Sequence, residues 1–215
     1  SNIVMNQVGA PIFIRLGDRA RPFREGDPRP GVGKLRQVLI SNVQATAGSQ
    51  VGCAIAGLPD HPIEGVTLEN IRLTFEGGGK PANPLGAVPE HPEKYPEHSM
   101  FGALPAYGFY CRHVRDLTLR DVRVSCAAPE TRPGLICEDV AGLDAFGLAA
   151  AGPPLILHQV RDALVHGCRL PAGVRTWLRV TGNRTARVDL RLPRSAVEAG
   201  PEVPQGGICD GSSCS

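Results

Sequence analysis

One order of eight positions, apolar, polar, apolar, polar, turn residue, apolar, polar, apolar, returns five times along the chain. It runs from Val38 to Ala45, Val66 to Leu73, Leu117 to Val124, Leu143 to Ala150 and Ala163 to Leu170. Alternation at period two gives each half of the frame one inward and one outward face. The fifth place holds Asn42, Asn70, Asp121, Gly147 and Gly167, residue types that tolerate positive φ. Each frame is therefore predicted to be two short strands bent at one left-handed residue, and its repetition predicts a solenoid.

A second ladder precedes the first. Arg112, Glu138 and His158 stand five residues ahead of the last three frames, each closing an apolar run: Gly108 to Cys111, Gly134 to Cys137 and Pro154 to Leu157. Similar runs cover Pro11 to Ile14, Val51 to Ile55 and Thr176 to Val180. Every repeat thus offers roughly three short strands, the content of one coil of a parallel β-helix.

The step between the frames at Val66 and Leu117 is too long for one coil and requires an insertion. Residues 76–106 supply it, since Gly77, Gly78 and Gly79 lead into Pro81, Pro84, Pro89, Pro92, Pro96 and Pro105, a density that excludes ladder bonding and regular helix. A long loop leaving one side of the solenoid is expected there, with Tyr95, Met100 and Phe101 as its apolar content. Asn2 to Met5 matches Asn42 to Ala45, so the chain is expected to begin inside a coil, as the C-terminal part of a longer protein. Residues 1–195 are assigned to coils and 196–215 to an irregular tail, in which Cys209 and Cys214 either pair or lie in frayed chain, the second being favoured.

Composition fits this picture. The 215 residues are 42% hydrophobic and 20% charged, enough to bury a sizeable core, and Gly 26 with Pro 20 suits many turns. No helix is placed: Gly142, Gly147 and Gly152 break the Ala- and Leu-rich stretch 141–151. A net charge of +2 with interspersed signs gives no nucleic-acid footprint, and no apolar run is long enough to span a bilayer. Cys53, Cys111, Cys137 and Cys168 occupy apolar strand places, where a thiol packs as a small hydrophobe. No cofactor and no metal site are expected. The carboxylates and imidazoles of Glu90 to His98 lack the spacing of a known metal site and sit among stiffening prolines.

Three blocks carry a family resemblance. Asn2 to Arg19, Gly57 to Glu64 with Met100 to Val114, and Arg132 to Val140 resemble glycoside hydrolase family 28, the polygalacturonase and rhamnogalacturonase family, in a bacterial branch. The resemblance spans about residues 1–150. It implies a right-handed parallel β-helix, hydrolysis of glycosidic bonds in pectin with inversion, and an extracellular or periplasmic location. The family's Asn-Thr-Asp, Asp-Asp, Gly-His-Gly and Arg-Ile-Lys motifs do not occur in this chain. Inverting hydrolysis needs one protonated acid and one carboxylate about 6.5–9.5 Å apart across the sugar. Of the outward strand ends only Glu138 is acidic, and the cation beside it favours the carboxylate form, which has no proton to give. No catalytic residue is therefore assigned, and the chain alone is expected to be inactive.

The substrate-binding candidates are Arg15, Arg19, Tyr95, Arg112, Glu138 and His158. The resemblance puts the strand bearing Pro11 to Ile14 on the cleft side, so Arg15 and Arg19 are candidates for a uronate carboxylate; the alternative is a solvated surface with internal ion pairs. Arg112, Glu138 and His158 are expected to line one face in the order cation, anion, imidazole; the alternative is a structural ladder bridging rungs. Tyr95 or Phe101 is the candidate wall for a sugar ring. Three classes of function remain: part of a pectin-degrading glycosidase that is completed by missing N-terminal coils, a β-helix that binds polysaccharide or is purely structural, and a polysaccharide lyase. The last needs a calcium site of clustered carboxylates, and the sequence shows none.

Overall fold

A computed structural model describes residues 1–81 and 83–209. Its strands are β1 (Ile3–Val8), β2 (Phe13–Arg15), β3 (Arg36–Ala47), β4 (Cys53–Ala56), β5 (Ile63–Phe75), β6 (Phe109–Cys126), β7 (Leu135–Phe146), β8 (Ala149–Ala150), β9 (Leu155–His158), β10 (Arg161–His166), β11 (Leu178–Thr181), β12 (Ala186–Leu190), β13 (Val197–Ala199) and β14 (Ile208–Cys209). The one helical turn among the described residues is a 3₁₀ segment, Arg194–Ala196. The architecture is all-β and parallel, compatible with a β-helix solenoid.

The main stack runs β1-β3-β5-β6-β7-β10-β12-β14. Frame places meet their counterparts: Ile3 lies opposite Val43, Val38 opposite Val66, Val66 opposite Leu117, Leu117 opposite Leu143 and Leu143 opposite Ala163. A second stack joins β2, β4, the start of β6, the start of β7, β9, β11 and β13. Because β6 and β7 bend and serve both stacks, the inward apolar columns form one core. Val43, Leu68, Ile71, Leu119, Val122, Val140 and Val165 are all buried in it.

The predicted bends are present. Asn42, Asn70, Asp121, Gly147 and Gly167 all have positive φ, between 50° and 69°. Asn70 donates from its side-chain amide to Asn42 Oδ1 at 2.8 Å, so the turn column is itself bonded along the stack. Two further left-handed columns were not visible in the sequence: Gln37, Gly65, Asp116, Gly142, Asp162 and Arg187, and then His113, Asp139, Gln159 and Gly182. Gln and Arg do not favour this region, at a cost of about 1–2 kcal/mol each. The in-register hydrogen bonds on either side impose it.

Three expectations need correction or extension. A further rung, Val188 opposite Ala163, escaped the frame because Leu192 and Pro193 fall at its turn and next places. The tail expected to be irregular contains β13 and β14, parallel to β11 and β12; Cys209 is disulfide-bonded rather than frayed, and Cys214 lies outside the described residues. The insertion does not simply leave the side of the stack. It folds back so that Val88, Met100, Phe101 and Leu104 pack with Ala54, Ala56, Tyr110 and Ile136 in a second apolar cluster, while Tyr95 stays exposed.

Leu119 has no exposed surface, whereas Leu39 is 66% exposed. Leu119→Ala is expected to lower unfolding free energy by about 2–5 kcal/mol. Leu39→Ala is expected to change it by no more than about 0.5 kcal/mol. Urea denaturation of the two variants checks the inward and outward assignment of the frame.

Candidate functional site

The outward column that ends the second stack runs Arg15, Ala56, Arg112, Glu138, His158, Thr181, each opposite the next. The sequence-predicted trio is therefore in register. Its members nevertheless have different surroundings, because the returning insertion covers one end of the column.

Arg112 is buried. Its Nη1 donates to the Val88 carbonyl at 2.5 Å and its Nη2 to the Pro89 carbonyl at 3.2 Å, and it is ion-paired with Glu90 at 3.1 Å. Arg15 makes a parallel clamp, donating to Ala56 O at 3.2 Å, Gly57 O at 2.6 Å and Glu90 O at 2.6 Å. The Phe101 ring faces both guanidinium carbons, at 5.4 and 5.9 Å. A guanidinium taken out of water must have its donors satisfied, and here loop carbonyls do much of this. Arg112 is thus removed from solvent, contrary to its expected place on an open face, and Phe101 is buried beneath the loop rather than forming a wall.

Beside Arg112 lies a chain of titratable groups. His113 bonds through Nε2 to Glu90 Oε1 at 3.0 Å and through Nδ1 to Asp139 Oδ2 at 2.7 Å. Arg184 pairs with the other oxygen of Asp139 at 3.1 Å. Burial alone would lower the His113 pKa, but the hydrogen bonds to Glu90 and Asp139 outweigh it and raise the value. Burial would raise that of Glu90, yet His113 and Arg112 more than offset it and hold Glu90 below the usual carboxylate range. Further along the column, Glu138 accepts a 2.6 Å hydrogen bond from the Tyr110 hydroxyl, and His158 Nδ1 meets Thr181 Oγ1 at 2.9 Å.

Sequence reasoning missed Glu90, His113 and Asp139. A signal existed for two of them, since His113 and Asp139 follow Arg112 and Glu138 directly and must share their register. Glu90 sits in the proline-rich insertion, which no periodicity places.

Arg19 and Tyr95 lie at the open rim. The Arg19 guanidinium carbon is 4.9 Å from the centre of the Tyr95 ring, and both residues are exposed. The neighbouring groove, of about 320 Å³, is lined by Asp18, Arg19, Ala20, Arg21, Pro22, Arg29 and Glu93. Asp18 N donates to Pro92 O at 2.6 Å, and Arg29 bridges Asp18 at 3.2 Å and Glu93 at 3.0 Å, tying the segment after β2 to the insertion. Arg19 makes no salt bridge among the described residues. The rim thus offers a planar cation stacked on an aromatic ring, suited to a carboxylate beside a flat apolar face. The insertion's acids and imidazoles do not converge: among the described residues no group of three or more His, Cys, Asp or Glu could hold a metal ion.

No family model matches the chain, and no curated protein or solved structure matches it significantly.

A group whose folded pKa is raised stabilises the fold fully below its unfolded pKa and loses that contribution as pH rises through the folded value. His113 is such a group, and Glu90, whose pKa is lowered, acts at the opposite end of the range. His113→Asn, which keeps a residue tolerant of positive φ, is expected to cost about 1–3 kcal/mol at about pH 6 and less at about pH 9. Urea midpoints across that range check it; equal losses at both ends would show that His113 serves only by packing.

Proposed function

We propose that this chain forms a wall of the sugar-binding cleft in a glycoside hydrolase of polygalacturonase or rhamnogalacturonase type. The scaffold in this reading is a right-handed parallel β-helix, the substrate a pectic polysaccharide, and the location extracellular or periplasmic. The observation that carries the reading is the exposed Arg19 and Tyr95 pair at the end of the block whose sequence resembles that family. A guanidinium recognises a uronate carboxylate bidentately, and an aromatic ring covers the apolar face of a pyranose.

The acids of this face are engaged elsewhere. Glu90 and Asp139 hold His113, and Glu138 holds Tyr110. None is an unengaged acid facing an opposed carboxylate, the pair that inverting hydrolysis requires. In this reading the reacting acids come from polypeptide other than these 215 residues. The same observation favours a second reading, a non-catalytic β-helix that binds polysaccharide or has a structural role.

The 215-residue chain is expected to bind polygalacturonate in affinity electrophoresis and to release no reducing sugar from polygalacturonate or rhamnogalacturonan. Arg19→Gln and Tyr95→Ala are each expected to weaken binding, by about 1 kcal/mol. In the intact gene product, Tyr95→Ala is expected to lower turnover as well. Binding unchanged by both substitutions removes the cleft reading, and turnover by the isolated chain removes the assignment of the acids to other polypeptide.

A further inference from the structure

Beyond the left-handed residues at Asn70 and Asp121, the main stack turns onto a third surface, three left-handed columns away from the ladder of Arg112 and Glu138. Its outward column reads Gln44, Arg72, Arg123, Ala149, Arg169, each opposite the next. The side chain shrinks to a methyl at Ala149, between two arginines. With strands about 4.8 Å apart, Arg123 and Arg169 flank a slot roughly two rungs wide. A cavity of about 480 Å³ opens there, and no carboxylate lines it.

The charge of this cavity is only partly compensated. Asp121 pairs with Arg72 at 2.6 Å and with Arg123 at 3.3 Å, so one carboxylate serves two cations. Arg169 is exposed and makes no ion pair or side-chain hydrogen bond among the described residues. Arg123 Nε is buried and has no hydrogen-bond partner. Beside the arginines, Thr74 and Ser125 place their hydroxyls 3.2 Å apart along the same wall. Cations repeating along the stack axis, with a row of hydroxyls next to them, suit a linear polymer that carries carboxylates and hydroxyls at a regular spacing.

We propose that the Arg72, Arg123 and Arg169 groove is a second binding site, for a polyuronate chain lying along the stack, with one carboxylate held in the slot over Ala149. The occupant's identity rests on the pectic reading above, but the site shares no residue with the Arg19 and Tyr95 rim. The exposed Arg169 guanidinium, which makes no ion pair among the described residues, would take the carboxylate, and Thr74 and Ser125 would take sugar hydroxyls. An acidic peptide offers the charge without the hydroxyls.

The test is titration of the isotope-labelled 215-residue chain with short oligogalacturonides, read by the backbone amide signals of Ala149, Ala150 and Arg169. Shifts are expected there at low salt and are expected to weaken as salt rises. They are expected to be absent with the fully methyl-esterified oligomers. Arg169→Gln is expected to weaken the affinity read at Ala149 about fivefold, and Ala149→Glu, which fills the slot with an anion, to abolish binding there. Both positions are at the surface, so the fold is expected to persist. Shifts confined to Arg19 and Tyr95 overturn the groove and leave the cleft standing. Shifts confined to the groove support it and count against the cleft, whereas no shifts at either place overturn both. Equal binding of polyglutamate at Ala149 overturns the assignment to a polysaccharide.

Discussion

In-register parallel pairing of like places is the constraint on which the rest of this structure depends. When Val66 stands on Val38 and Leu117 stands on Val66, every inward place becomes a column, and so does every outward place. Burial of each inward aliphatic side chain contributes about 1.5–3 kcal/mol before chain entropy is subtracted, and a slip of one residue would turn that whole set to solvent. The register is thereby fixed, and with it the bends. Gln37, Gln159 and Arg187 accept an unfavourable backbone region because the strands on both sides leave no other path.

The same rule explains why polar residues form ladders rather than isolated contacts. Arg112, Glu138 and His158 stack because their positions relative to the frames are equal, not because charge draws them together. What differs along the ladder is the cover. At the Arg112 end the insertion supplies carbonyls and Glu90, and a buried guanidinium with those partners tolerates a dry site that an unpaired one would not. Arg132 makes a similar clamp, ion-paired with Glu130 at 2.8 Å and donating to Gln50 O and Leu104 O. The insertion is therefore held from beneath by arginines whose removal would leave several of its carbonyls without donors and Glu90 with His113 alone.

The strand frames, their five turn residues and the register of the ladder were legible in the sequence, because alternation and turn chemistry are local signals. The course of residues 76–106 was not. Proline density says what such a segment cannot be, yet it carries no period that fixes where Phe101 packs or which cation Glu90 meets. The fate of each arginine was hidden for a related reason. Arg15 and Arg19 are four residues apart in one segment, and only the returning loop distinguishes the clamp from the rim. The rung at Val188 was obscured by Leu192 and Pro193, which break the frame's turn chemistry without breaking the pairing ahead of it.

That division among the arginines bears on what the surface can recognise. A guanidinium already shared among backbone carbonyls has few donors left, and bringing a ligand carboxylate to Arg112 would require displacing the loop. Arg19 and Arg169 differ, since neither is ion-paired among the described residues, so a carboxylate arriving at either meets a cation whose charge is not already shared with another carboxylate. The attraction at such sites is modest and screened by salt, and a single contact would bind weakly. A polymer that repeats its carboxylates can engage several at once, and each contact after the first is made at the high effective concentration set by the polymer itself. The regular rung spacing that builds the core also sets cations such as Arg72 and Arg123 on adjacent places at the surface.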